Sequence, residues 1–378
     1  MKPLLSGLAL LAAALLLVVP PAAAQIDTAA REAYLVDATT GTVLLDKDGD
    51  RPMPPASMSK IMTAYAVFDR LSQGRLALDD RLPVSERAWR MGGSKMFVEV
   101  GNEIRVEDLL RGVIVQSGND ACIVLAEALS GSEAAFADEL TRLGREIGLR
   151  ESSFRNATGW PAEGHLMSAR DLAHLAYRLI DDFPEYYHYY AETEFTWHEI
   201  RQSNRNPLLY RNIGADGLKT GHTEEAGYGL TASAVQGDRR LILVVTGLQS
   251  QRQRAEEAER LMLWGFREFG NFKLFEAGTV IEEAEVWLGS NASVPLVAAE
   301  EVLVTLRHAA RDDITATVVY EGPLPAPIEA GQRVATLRIQ APGISVHEVP
   351  LVAGRSVAAA GPLGRIYQTA RHLIFERD

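Results

Sequence analysis

The chain has a single cysteine, Cys122, in 378 residues. No intrachain disulfide can staple it, so its stability must come from packing. It is also short of positive charge: 38 Lys and Arg stand against 50 Asp and Glu, a formal net charge of -12. Nucleic-acid binding needs a basic footprint, and this balance excludes it. Only one long apolar run exists, Leu4 to Val19. It falls short of the roughly 20 residues that a spanning helix needs.

That run is flanked by Lys2 on one side and by Pro20, Pro21 and Ala22-Ala23-Ala24 on the other. A basic start, an apolar stretch and a small-residue site describe an export signal. Residues 1–24 are therefore expected to be a signal peptide cut after Ala24, with an uncleaved anchor as the alternative. Either way the rest is exported, to the periplasm or the outer face of the cytoplasmic membrane. Hydrophobic content of 47% and charged content of 23% are those of a globular protein. The length suits two domains.

Residues 33–45 read as two strands about a turn, Ala33 to Asp37 and Thr42 to Leu45. Pro52, Pro54 and Pro55 then interrupt regular structure. From Ser57 onward Met58, Ile61, Met62, Tyr65 and Phe68 recur at helical spacing, so Ser57 stands at a helix start with Lys60 one turn along. Helices are expected from Val106, over Asp120 to Leu129, over Glu133 to Gly144, and from Ser168 through Leu179. Strands return at Gly229 to Ala234 and Leu241 to Gly247, and a helix runs from Arg254 to Phe269. Strands at both ends with helices between predict an α+β domain over 25–272. Beyond it, runs such as Val302 to Leu306, Ile314 to Val319 and Val334 to Ile339 are rich in β-branched residues. They predict a small all-β domain over 273–358. Residues 359–378 place Ile366, Tyr367, Ala370, Leu373 and Ile374 on one side of a possible helix, a candidate membrane-surface contact.

Three short motifs carry chemistry: Ser57-Met58-Ser59-Lys60, Ser117-Gly118-Asn119 and Lys219-Thr220-Gly221. Singly, each has an ordinary reading: a helix cap, a turn and a strand edge. Together, in this order, they spell the Ser-x-x-Lys, Ser-x-Asn, Lys-Thr-Gly machinery of serine acyl transfer. A serine hydroxyl needs a base, and Lys60 is close enough to serve. A second cation at Lys219, together with desolvation, would favour the neutral amine. Ser117 is positioned to relay a proton, and Asn119 to bond a substrate carbonyl and hold the lysines. Thr220 offers a hydroxyl to a terminal carboxylate, and Gly221 admits a substrate backbone. The backbone N–H groups of Ser57 and His222 are the oxyanion-hole candidates. Cys122 falls in an apolar run and reads as core. This chemistry needs no cofactor and no metal.

The constellation resembles the low-molecular-mass penicillin-binding proteins, specifically the D-alanyl-D-alanine carboxypeptidases. The likeness extends over Pro54 to Thr63, Gly93 to Phe97, Ser117 to Cys122, Asn204-Arg205-Asn206, Asp216 to Thr223 and Leu263 to Phe266. It implies a β-lactamase/transpeptidase-like catalytic domain followed by a β-rich domain. The implied reaction removes the terminal D-Ala from peptidoglycan pentapeptide stems through an acyl-enzyme on Ser57, and β-lactams acylate the same serine. Arg254 and Arg205 match arginines that line the family's site, and a guanidinium fork suits a carboxylate. Trp160 departs from the family's usual leucine, and the C-terminal segment is less basic than the family's anchor. Three alternatives stay open: a D,D-endopeptidase, a β-lactamase, for which Glu163 is the nearest carboxylate on the relevant loop, and a non-catalytic cell-wall binding protein.

Overall fold

A computed structural model describes residues 26–342 and 346–366. The signal segment and residues 367–378 of the expected terminal helix lie outside them.

Strands β1 (Ala33–Asp37) and β2 (Val43–Lys47) open the chain, and α1 (Lys60–Ser72) follows a 3-10 turn at Ala56–Ser59. A helical lobe follows: α2 (Glu86–Arg90), α3 (Val106–Ile114), α4 (Asn119–Ser130), α5 (Glu133–Glu146) and α6 (Ala169–Asp182). Small two-stranded ladders, β3 (Arg81–Pro83) with β4 (Glu103–Arg105) and β5 (Glu194–Trp197) with β6 (Ile200–Ser203), decorate it. Strands β7 (Ala215–Thr223), β8 (Gly227–Gln236) and β9 (Arg239–Leu248) then complete a five-stranded antiparallel sheet in the order β2-β1-β9-β8-β7. Helix α7 (Gln251–Glu268) closes the unit.

The central strand β9 is apolar along most of its length because both faces are covered. Ile242 and Val244 join the core under α1, α4 and α6, whereas Leu241, Leu243 and Val245 pack against Ala258, Leu261 and Met262 of α7. That alternation follows from the two-residue period of a strand. Helix α4 lies deepest in the helical lobe, with Asn119 through Ala126 all buried, Cys122 among them. Helix α7 begins at Gln251, earlier than its apolar pattern indicates, because the Ser250 hydroxyl accepts from the Gln253 N–H and caps it. The Ser168 hydroxyl caps α6 in the same way.

Strand β10 (Phe269–Phe275) follows α7 without a linker and pairs with β13 (Val302–Arg307). It runs unbroken across the boundary expected at residue 272. The other strands are β11 (Val280–Trp287), β12 (Ser293–Ala298), β14 (Thr315–Val319), β15 (Leu324–Pro325), β16 (Arg333–Gln340) and β17 (His347–Ala353). They form a six-stranded sheet ordered β14-β16-β17-β12-β11-β15 over an apolar core. The two units meet through polar groups. On the β10–β13 ladder Asn271 donates to Asp37 Oδ1 at 3.5 Å and Thr305 meets Thr40, while Asp37 itself is held inside the catalytic unit by Arg239 Nε at 2.6 Å.

Candidate active site

The Ser57 turn, the α3–α4 junction and the β7 edge converge on one cavity. It has a volume of about 640 Å³ and is lined by Ser57, Ser117, Thr220, Gly221, His222, Arg205 and Arg254. Lys60, Asn119 and Lys219 stand just behind its wall, nearly or fully buried.

Ser57 does not cap a helix: neither the 3-10 turn nor α1 has a side-chain cap. Its hydroxyl instead lies 2.9 Å from Lys60 Nζ, which donates to it and to the Thr158 carbonyl at 2.6 Å. Lys60 is 1% exposed, and burial pushes its amine down to about 8, with Arg205 acting in the same direction. Lys219 is held well below the ordinary lysine range by burial first and then by Lys60 and Arg205. Two ammonium groups buried together repel, so the arrangement favours a neutral amine.

Ser117 is 1% exposed and adopts φ +59. Its Oγ has no hydrogen-bond partner among the described residues. A buried, unpaired hydroxyl in a sparsely populated backbone region is costly unless the site uses it. The Asn119 carboxamide donates to the Gly92 carbonyl at 2.9 Å. It therefore ties down the loop at residues 92–97 rather than a lysine, a correction to the sequence reading. Asp120 completes this restraint: its carboxylate accepts from the N–H groups of Met96, Phe97 and Val98 at 2.8, 2.8 and 3.1 Å. The sequence placed Asp120 in a motif without showing what it holds.

Gly221 is also approached closely by the protein itself. A Cβ there would lie 2.9 Å from the Pro55 carbonyl and 3.2 Å from Ala56 Cβ, so the close approach is by the Ser57 turn itself. On the far side, Arg254 is 6% exposed and burial pushes it down to about 10. Its guanidinium lies over the Tyr228 ring, 5.9 Å from the centroid, and Tyr228 in turn stacks on His222 at 3.9 Å. Arg205 donates to Ser94 on the rim of the cavity.

Pattern reading missed Thr158, His165 and Tyr228. The Asn156-Ala157-Thr158-Gly159 run carried one usable signal, since asparagine followed by a glycine favours a self-bonded turn. Asn156 Oδ1 does accept from the N–H groups of Thr158, Gly159 and Trp160. Trp160 packs its ring beside Gly93 and stays 47% exposed. Glu163 lines the adjoining cavity, not the one holding Ser57.

Comparison with known proteins agrees with this geometry. Residues 19–250 match the family model described as D-alanyl-D-alanine carboxypeptidase. Residues 269–359 match the model described as penicillin-binding protein 5, C-terminal domain. D-alanyl-D-alanine carboxypeptidase DacC of Escherichia coli (strain K12) is 39% identical over 346 residues, covering 89% of this chain and 86% of the relative. Among solved structures, penicillin binding protein 5 from Haemophilus influenzae superposes with a TM-score of 0.80 at 35% identity, covering 88% of this chain and 98% of that one. Penicillin-binding protein D2 from Listeria monocytogenes in its ampicillin-bound form gives a TM-score of 0.59 at 29% identity, covering 64% of this chain and 98% of that one. The chain belongs to the D-alanyl-D-alanine carboxypeptidase family, within the low-molecular-mass penicillin-binding proteins.

Proposed function

We propose that this protein is a serine D-alanyl-D-alanine carboxypeptidase that trims the terminal D-Ala from peptidoglycan pentapeptide stems. The observation that carries the reading is the Ser57–Lys60 contact at 2.9 Å, with Lys60 buried beside a second lysine. Neutral Lys60 accepts the Ser57 proton as Oγ attacks the carbonyl of the penultimate D-Ala. The N–H groups of Ser57 and His222 receive the oxyanion. Collapse breaks the amide bond; the departing D-Ala nitrogen takes the Ser117 hydroxyl proton, and the proton held on Lys60 passes to Ser117 in its place and leaves Lys60 neutral. Thr220, Arg254 and, at the rim, Arg205 receive the terminal carboxylate, for which a guanidinium fork is suited. Water then hydrolyses the ester and frees Ser57. Strand β7 lies at the edge of its sheet, so a substrate backbone has a free edge to align on. Gly221 keeps that edge and the Ser57 turn in close register. β-Lactams acylate the same serine.

In this reading residues 1–24 direct export, 25–272 form the catalytic unit and 273–358 a β unit that spaces it from its surroundings. The protein works in the periplasm or at the outer face of the cytoplasmic membrane, with residues 359–378 touching the membrane surface. Flotation of the mature chain with anionic vesicles, with and without residues 359–378, tests that contact.

The deciding experiment is intact mass after incubation with benzylpenicillin. A penicilloyl adduct on the wild type and none on Ser57→Ala supports the reading. No adduct on folded wild-type protein overturns it.

A further inference from the structure

The loop at residues 154–166 is clamped against the Ser57 turn at several points. The Ala157 carbonyl accepts from Thr63 Oγ1 at 2.7 Å, and the Thr158 carbonyl from Lys60 at 2.6 Å. Gly159 has φ +78 and runs so close that a Cβ there would fall 1.8 Å from the Ala56 carbonyl oxygen. The last point is His165. Its side chain is 3% exposed and reaches back from the neck of the loop, with Nε2 2.8 Å from Ser59 Oγ. The Arg155 N–H donates to its Nδ1 at 3.2 Å, tying the two stems of the loop together. That bond leaves Nδ1 without a proton, so Nε2 carries the hydrogen and donates to Ser59. Phe154 packs against the ring edge to face at 5.7 Å.

We propose that His165 is a positioning residue which, acting through Ser59, holds the 156–164 loop against the Ser57 turn and keeps water from Lys60. The proposal rests on the reading of Lys60 as base. His165 touches neither the reacting hydroxyl nor the Lys60 amine. It acts on the loop whose Thr158 carbonyl accepts from that amine. The charged groups facing the imidazole are Arg155 on its own loop and Lys60 across the contact, and both disfavour its protonation. Burial acts in the same direction and pushes it down to about 4. The neutral donor therefore persists across the working range of a base near 8.

Burial is also the largest cause that holds the Lys60 amine down. If the loop opens, water reaches Lys60, its pKa climbs toward the ordinary value, and less neutral amine exists at a given pH. The test combines hydrogen exchange of the 156–164 amides with the pH profile of benzylpenicillin acylation. It compares wild type, Ser59→Ala, His165→Leu and His165→Gln. The glutamine keeps a neutral N–H donor toward Ser59.

In Ser59→Ala and His165→Leu the loop amides exchange faster. Acylation slows by roughly three- to tenfold, the scale of one buried hydrogen bond expressed as a rate. The acid limb of the profile moves to higher pH. His165→Gln recovers the wild-type exchange and profile. Wild-type loop exchange and an unmoved profile in folded Ser59→Ala overturn the proposal, and that small change keeps the test decisive if His165→Leu does not fold. Should wild-type protein take no adduct, the base reading falls by itself, and the exchange measurement still decides whether His165 clamps the loop.

Discussion

The two halves of this molecule treat buried polarity in opposite ways. In the catalytic unit Lys60, Lys219, Asp120, Arg254 and Asn119 all sit at 6% exposure or less within one neighbourhood. From residue 270 onward the buried set is apolar, with Thr305 the one polar member among the described residues. Taking charge out of water is expensive and is repaid only by pairing or by use. Asp120 is repaid by the N–H groups of Met96, Phe97 and Val98 and by a fourth from its neighbour Ala121. The lysine pair is not repaid by any carboxylate salt bridge among the described residues. The β unit has nothing comparable to support and is built as a plain core. Unrepaid burial marks the part of the chain that performs chemistry.

The sharpest way to break this comparison is to remove the unrepaid charge. Lys60→Met should lower the benzylpenicillin acylation rate by about 10³-fold or more, in line with general-base catalysis worth about 10² to 10⁴. It should also leave the protein at least as stable as wild type at pH 7. The sign follows from linkage. Lys60 titrates lower when folded, at about 8, than in the unfolded chain, so the unfolded state binds the extra proton and stability rises with pH between these values. Below about 8 the buried ammonium is a cost, and methionine removes it. Urea denaturation of both proteins, beside rapid-quench mass spectrometry, checks both halves. A variant that is both inactive and strongly destabilised would mean that Lys60 is repaid after all.

The converse test is made in the β unit. Leu337 and Leu351 are buried in its core. Leu337→Ala should cost about 2–5 kcal/mol in unfolding of that unit, as large-to-small core changes do. The acylation rate of the folded protein should stay within twofold. A larger fall would show that the two units communicate through the Asn271–Asp37 and Thr305–Thr40 contacts. A smaller effect is expected at Arg254, which lies on the cavity wall and is already partly repaid by the Tyr228 ring. Arg254→Ala should raise KM for a D-Ala-D-Ala peptide by roughly tenfold, the scale of a lost charge-assisted hydrogen bond. The rate at saturation should change less. Steady-state release of D-alanine separates the two.

Most of the scaffold was legible because its signals are local. Helix α6 announces itself through Ser168 and the apolar spacing of Leu172, Leu175 and Leu179. Strand β9 does so through the apolar run Leu241 to Val245, β8 through small and apolar residues on the other side of the Gln236-Gly237-Asp238 turn, and the β-branched strands β13, β14 and β16 through their composition. The ladder of β5 and β6 was not legible, because each strand is only four residues long and β6 is polar after Ile200, which leaves the Phe195 and Trp197 alternation of β5 too short to stand out. At the site, the motifs named residues that the fold brings together, but not their partners. Nothing local tells that Asn119 bonds Gly92, that Asp120 gathers three backbone donors, or that His165 reaches Ser59 across 106 residues. Those are tertiary contacts, and a lone histidine or asparagine has no spacing to betray them.

The lone thiol has a practical consequence. Cys122 is fully buried in α4, and burial pushes it up to about 12, so almost no thiolate exists at neutral pH. The native protein should therefore be silent toward thiol reagents while folded. A cysteine introduced on the 92–97 loop or on the 156–164 loop becomes the single labelling point in the molecule, with no background to remove. A spectroscopic probe placed there can follow, in real time, how the two loops over Ser57 move as an acyl group arrives and leaves.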